Sequence, residues 1–135
     1  MKVSKKQSLT EEFYNHTGMI FYAVAASDKV VRAEEIRTLK KLVKEKWVPV
    51  DTVTDEYGTD EAYKIEIAFD WLQENAPEAA WAFNEFKEYK KDHQQLFDPK
   101  INQLIWETAD AIAASFSGKN KAELIMLSKL KILLT

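Results

Sequence analysis

The sequence predicts an all-α protein of about six helices, and three observations support this. The 135-residue chain has only 3 glycines and 3 prolines, whereas a β-protein of this length needs many tight turns. Apolar residues recur every three or four positions along most of the chain, as on one face of a helix. One stretch occurs twice, at 23–43 and again at 111–131. The fold class therefore follows from composition, periodicity and repetition together.

The repeat runs from position 23 in one copy and position 111 in the other, an offset of 88 residues. Each copy predicts a helix, a short link and a second helix. The first and last helix pairs then form similar hairpins, and the insert 48–98 carries another helix pair within a single domain, 1–135. A pseudo-twofold relation would let each hairpin bury the apolar stripe of the other. The identical pairs are Ala23/Ala111, Ala25/Ala113, Ala26/Ala114, Ser27/Ser115, Glu35/Glu123, Leu39/Leu127, Lys41/Lys129 and Leu42/Leu130.

The first hairpin has clear helix signals. Ser8 or Thr10 can cap the first helix, which should end near Ser27. The small pair Ala25–Ala26 would allow another helix to approach closely. A second helix is predicted from about Ala33 to Trp47, before Pro49. Their apolar faces contain Phe13, Ile20, Phe21 and Val24, and then Ile36, Leu39, Leu42 or Val43, and Trp47.

The insert begins with a loop, 48–58, and Thr59 is the predicted N-cap of the third helix. Pro77 predicts the start of a fourth helix at or near that residue. The predicted core residues of these two helices are Ile65, Ala68, Phe69 and Leu72, followed by Ala80, Trp81, Phe83, Phe86 and Tyr89.

The second hairpin begins at Asp98-Pro99, a cap followed by proline. Ser117-Gly118 predicts the turn, and Asn120 with Glu123 has the spacing of a capping box. The last helix, Glu123 to Leu134, is apolar on nearly every side, so we expect it to be the central helix. The apolar face of the fifth helix contains Ile101, Leu104, Ile105, Thr108 and Ile112.

Composition excludes several classes of function. The net charge is −3 and basic residues are interleaved with acidic ones, which does not indicate a nucleic-acid partner. No cysteine is present, so thiol catalysis, disulfides and cysteine metal sites are excluded. The polar N-terminus does not resemble a signal peptide, and no apolar run is long enough for a membrane span. We therefore expect a cytoplasmic protein that does not enter a membrane.

The link between the helices of the first hairpin resembles the tellurite-resistance TerB-like family. Ala25 and Ala26 precede Asp28, and Glu35 follows seven residues later, as in the family pattern. The second copy supplies Gly118 and Glu123. Lys29 stands where the family has glycine, Arg32 replaces its Ser or Thr, and Phe116-Ser117 occupies the place of the second aspartate. The resemblance implies a small binding or scaffold protein in a stress-response context, with a metal role for its acidic residues.

Asp28, Glu34, Glu35 and Glu123 are the candidate metal ligands. A tight link would bring Asp28 near the start of the second helix, and a pseudo-twofold would place Glu123 near Glu35. Carboxylate oxygens suit Ca²⁺, Mg²⁺ or Mn²⁺, although the spacing is not that of an EF-hand. The alternative is structural: all four acids lie where they could satisfy or stabilise helix ends.

The competing functional hypothesis is a metal-free module that binds a protein partner, as a monomer or homodimer. Trp47, Val48, Val50 and Tyr57 would form an aromatic patch beside the 47–58 loop. An enzyme is not predicted. The two histidines, His16 and His93, lack the Glu-x-x-His spacing of di-iron bundles, and the chain has no HExxH, GxSxG or phosphate-binding loop.

Overall fold

A computed structural model describes residues 10–50, 61–116 and 118–135 of the chain. Within these ranges the regular structure is entirely helical, and the predicted all-α class and six helices are confirmed. Four residues that the sequence analysis singled out lie outside the described residues: Ser8, Tyr57, Thr59 and Ser117. The α-helices are α1 (Glu11–Ala25), α2 (Ala33–Leu42), α3 (Lys64–Asn75), α4 (Ala79–Asp92), α5 (Pro99–Ala114) and α6 (Lys121–Leu134).

Three predicted helix starts are found with their capping residues. The Thr10 side chain accepts a hydrogen bond from the Phe13 N–H, and the Asp98 side chain accepts one from Ile101. Asn120 begins α6 with a full capping box, in which its own N–H is bound by the Glu123 carboxylate. These contacts satisfy backbone donors that a helix leaves unpaired in its first turn.

The second helix extends beyond α2 through a wider π-helical turn, Val43–Trp47, and a 3₁₀ turn, Val48–Val50. This extension places Trp47 in the core with no exposed surface. Its indole N–H donates to the Thr108 hydroxyl at 3.0 Å. Trp47 is therefore a core residue, which confirms its predicted place on the apolar face of this helix, and the alternative place in a surface aromatic patch is wrong.

The fourth helix begins near Pro77, as predicted, but part of its buried face differs from the prediction. Its first residue is Ala79, with Glu78 as the N-cap, and the Pro77 carbonyl accepts a hydrogen bond from the Tyr22 hydroxyl. Phe86 and Tyr89 are buried as predicted, whereas Ala82 is buried in place of Ala80 and Trp81, which are exposed. Since α4 carries apolar residues on more than one side, sequence periodicity left its rotation open, and packing against α1 selected the row that begins with Ala82.

The central helix is α1, and not α6 as predicted. Every residue from Ile20 to Ala26 is buried, and α1 contacts α3, α4, α5 and α6. By contrast, Leu124, Ile125 and Ile132 of α6 are 50%, 51% and 77% exposed. An apolar circumference predicts burial only where neighbouring helices cover it, and α6 packs chiefly on α5 and α1.

Helix α1 approaches α3 closely at Gly18, a position that the sequence analysis did not single out. A Cβ atom at Gly18 would lie 2.9 Å from both the Ala68 Cβ and the Ile65 carbonyl oxygen.

No helix among the described residues is long and apolar enough to cross a membrane.

Candidate functional site

The two hairpins meet where their second helices begin. Arg32 is the N-cap of α2, and Asn120 is the N-cap of α6. These residues occupy the same position of the repeat, as do Glu35 and Glu123. Each glutamate reaches back to its own cap: Glu35 Oε1 accepts from the Arg32 N–H at 2.8 Å, and Glu123 Oε1 accepts from the Asn120 N–H at 3.0 Å. We call this set of side chains, with Asp28 and Phe116, the hairpin junction.

Two contacts cross the hairpin junction between matched positions. The Asn120 side-chain amide donates to Asp28 Oδ2 at 2.6 Å. In the reverse direction the Arg32 guanidinium lies 4.8 Å from the centre of the Phe116 ring. Positions 28 and 116 correspond in the repeat, as do 32 and 120, so each contact is the counterpart of the other. This reciprocity is what a pseudo-twofold relation between the hairpins requires.

Glu35 and Glu123 meet at the centre of this arrangement. They are 0% and 2% exposed, and their carboxyl groups lie within hydrogen-bonding distance of each other. Glu35 Oε2 is buried and accepts no hydrogen bond from a protein N–H. Burial and, next, the bond to Glu123 raise the pKa of Glu35 to about 8. Two such carboxyls bond only through a shared proton, so the pair carries one proton at neutral pH.

Asp28 has the opposite character. Burial acts to raise its pKa, but hydrogen bonds from the Val30 N–H, Arg32 and Asn120 outweigh burial and lower it. The Arg32 guanidinium lies 2.9 Å from Asp28 Oδ2 and is also attracted to both glutamates. Arg32 is therefore a fixed positive charge inside the acidic cluster.

The structure brings together three of the four candidate metal ligands, and it leaves out Glu34. That side chain is 41% exposed and faces Arg37. The three others already accept hydrogen bonds from the chain: Asp28 through both oxygens, and Glu35 and Glu123 through one oxygen each. A hard divalent cation needs about six to eight oxygens or retained waters. The two buried carboxyls and the neutralised Asp28 do not fit that requirement. Among the described residues no group of three or more His, Asp or Glu side chains is arranged to hold a metal.

Sequence reasoning missed Arg32, Phe116 and Asn120 as members of this site. Arg32 and Phe116 were visible as departures from the family pattern, and Asn120 as a helix cap. The offset of the repeat could have paired position 28 with 116 and position 32 with 120. No local signal indicates that position 28 contacts position 120 and that position 32 contacts position 116. These contacts depend on how the two hairpins are oriented relative to each other.

A groove adjoins the hairpin junction and has a volume of about 670 Å³. Its floor is the end of α1, one wall is α6, and the other is the corner between α3 and α4. This surface differs from the predicted aromatic patch, in which Trp47 is buried and Tyr57 is not described. Its lining includes Lys29, Ala76, Glu78, Ala122, Ile125 and Lys129.

Comparisons with protein families, with curated proteins and with solved structures find no match to this chain.

Proposed function

We propose that this chain is a small, non-enzymatic binding or scaffold module, of TerB-like type, that works by contact with another protein and needs no bound metal. The observation that carries the proposal is the state of the hairpin junction. Its acids are used by the protein itself: the Arg32 guanidinium neutralises Asp28, and Asn120 donates a hydrogen bond to the same carboxylate. Glu35 and Glu123 each accept a hydrogen bond from the N–H of their own helix cap. The junction thereby holds the hairpins together, and binding is left to the surface.

The resemblance to the TerB-like family adds a stress-response context and a cytoplasmic location to this proposal. Divalent-cation binding at Asp28, Glu35 and Glu123 is the competing proposal. One observation favours it, because Glu35 Oε2 is buried without an N–H donor and could accept a cation in place of the proton.

A thermal melt separates the two. The protein is treated with a chelator, and Ca²⁺, Mg²⁺, Mn²⁺ and Zn²⁺ are then added one at a time. A bound ion at about 100 times its dissociation constant would stabilise the fold by about 2.7 kcal/mol. That corresponds to several degrees for a domain of this size. We expect no such shift for the natural protein.

The control is a pair of matched glutamate substitutions. A cation shift that Glu35→Gln abolishes and the exposed Glu34→Gln leaves intact would establish the metal module and overturn our proposal. A shift that survives both substitutions would come from another surface and would also contradict a metal-free protein.

A further inference from the structure

One flank of α6 lines the groove. It consists of Ala122, Ile125, Met126 and Lys129, whose spacing of i, i+3, i+4 and i+7 puts them on one side of the helix. Met126 is buried, whereas Ile125 is 51% exposed and Lys129 is also exposed. Ile125 is therefore the exposed aliphatic residue of this flank.

The opposite wall is built from small residues. Ala76, Ala79 and Ala80 line it around Pro77, and Ala26 contributes to the floor. The Tyr22 hydroxyl holds this wall in place by its 2.7 Å bond to the Pro77 carbonyl. Short side chains on one wall and longer aliphatic ones on the other suit an amphipathic helix laid into a groove.

The charges in the groove are mainly positive. Lys29 and Lys129 line it, with Glu78 as the acidic residue opposite. Neither lysine forms an ion pair with a described residue, so both ammonium groups are available to a partner. The whole chain has a net charge of −3, whereas two lysines against one glutamate leave the groove locally positive. A complementary partner carries carboxylates beside its apolar stripe.

The backbone supplies an independent observation. Lys29 and Ala76 have φ values of 71° and 51°, and they are the non-glycine residues with positive φ in the described chain. Both line the groove. Glycine would occupy such a position at lower cost, and unfavourable backbone conformations of this kind cluster at functional sites. Lysine at position 29 places a charge at the groove where a glycine would favour the fold.

We infer that the groove between α6 and the α3–α4 corner binds an amphipathic helix of another protein, whose aliphatic stripe is flanked by acidic residues. The inference rests on the proposed function, since it gives the class of partner that such a module would bind. Ile125 contacts the aliphatic stripe, and Lys29 and Lys129 contact the flanking carboxylates.

The test uses a phage-displayed library of amphipathic helical peptides, selected against the intact natural protein. The affinity of each recovered peptide is then measured by fluorescence anisotropy against single variants. Ile125→Glu alters the groove, and Ile132→Glu is its matched control, because Ile132 is on the same helix, is 77% exposed and does not line the groove. We expect peptides rich in Asp and Glu beside Leu or Ile, with at least about a tenfold loss of affinity in Ile125→Glu and none in Ile132→Glu.

Lys29→Gly separates binding from stability. It should raise the melting midpoint, because glycine accepts positive φ, and yet weaken peptide binding several-fold. A residue retained only for structure would not give these opposite effects. Lys129→Gln should weaken binding without raising the midpoint.

Several outcomes would overturn the inference. One is that the selection enriches no peptide. Another is that the Ile125→Glu variant binds the recovered peptides as tightly as the natural protein does. A third is that the peptides have neutral or basic flanks and bind with the same affinity when Lys29 or Lys129 is substituted. Dimerisation in sedimentation, lost in Ile125→Glu, would give the groove to a second copy of the chain. The thermal melts with added cations do not depend on the groove. If no peptide binds the groove, those melts still test whether the hairpin junction binds a metal.

Discussion

At the scale of single residues, the buried pair Glu35 and Glu123 links stability to pH. Glu35 has a pKa of about 8 in the folded chain against 4.5 as its ordinary value. Between pH 4.5 and pH 8 the Glu35 carboxyl is protonated in the folded state but ionised in the unfolded state. The stabilisation from this bound proton is complete below about pH 4.5 and is lost as the pH rises through 8. The slope for one proton is about 1.4 kcal/mol per pH unit.

The Glu35→Gln variant should remove this slope. Glutamine keeps an acceptor for the Arg32 N–H and offers an amide donor to Glu123. Because an amide does not ionise, no negative charge forms at position 35 at high pH. Urea unfolding across pH 5 to 9, a range of about four units, should show the variant gaining stability over the natural protein as the pH rises. Glu34→Gln should show no such trend. Parallel curves for Glu35→Gln and the natural protein would refute the shared proton.

A second residue-scale prediction concerns Trp47 and Thr108. The indole N–H donates to the Thr108 hydroxyl inside the core. Thr108→Val keeps the shape but removes the acceptor, and an unsatisfied buried donor costs about 1–3 kcal/mol. Thr108→Ser retains the hydroxyl and should lose less. The free energies of unfolding are compared by chemical denaturation followed by circular dichroism. Equal losses of stability in the two variants would show that this hydrogen bond does not contribute to the stability of the fold.

At the scale of elements, the crossing of α1 and α3 depends on Gly18. Alanine there would gain about 1 kcal/mol of helix propensity. Its Cβ, however, would lie 2.9 Å from the Ala68 Cβ and from the Ile65 carbonyl oxygen. Overpacking costs about 1–3 kcal/mol, and a backbone carbonyl in a helix cannot turn away. We expect a net loss of stability in Gly18→Ala.

The compensating variant is Gly18→Ala combined with Ala68→Gly. It removes one of the two close contacts, so it should recover part of the loss beyond the cost of the new glycine, as a double-mutant cycle on melting midpoints would show. A stabilised Gly18→Ala protein would mean that α3 shifts freely along α1.

At the scale of the whole molecule, the hairpins are coupled by the bond from Asn120 to Asp28. Asn120→Ser keeps a favoured N-cap residue for α6 but cannot reach Asp28, and Asp28→Ala removes the acceptor. The two single changes and the double change should show a coupling of about 0.5–3 kcal/mol in denaturant unfolding. Independent effects that simply add would mean that this bond does not join the hairpins.

The sequence by itself determined the all-α class, the six helices and the caps Thr10, Asp98 and Asn120, because periodicity and capping act within a few residues along the chain. Its internal repeat also indicated that Glu35 and Glu123 would approach each other. Their approach is found in the structure, whereas a metal role for them stays a prediction.

Only the tertiary structure decided which apolar surfaces are covered. It made α1 the central helix, buried Trp47, left Ile125 at an open groove and rotated α4 so that Ala82 is buried and Trp81 is exposed. It also placed Arg32 over Phe116 and Asn120 against Asp28. The physical reason is that burial and contact across hairpins depend on the relative orientation of helices, which periodicity within one helix does not encode.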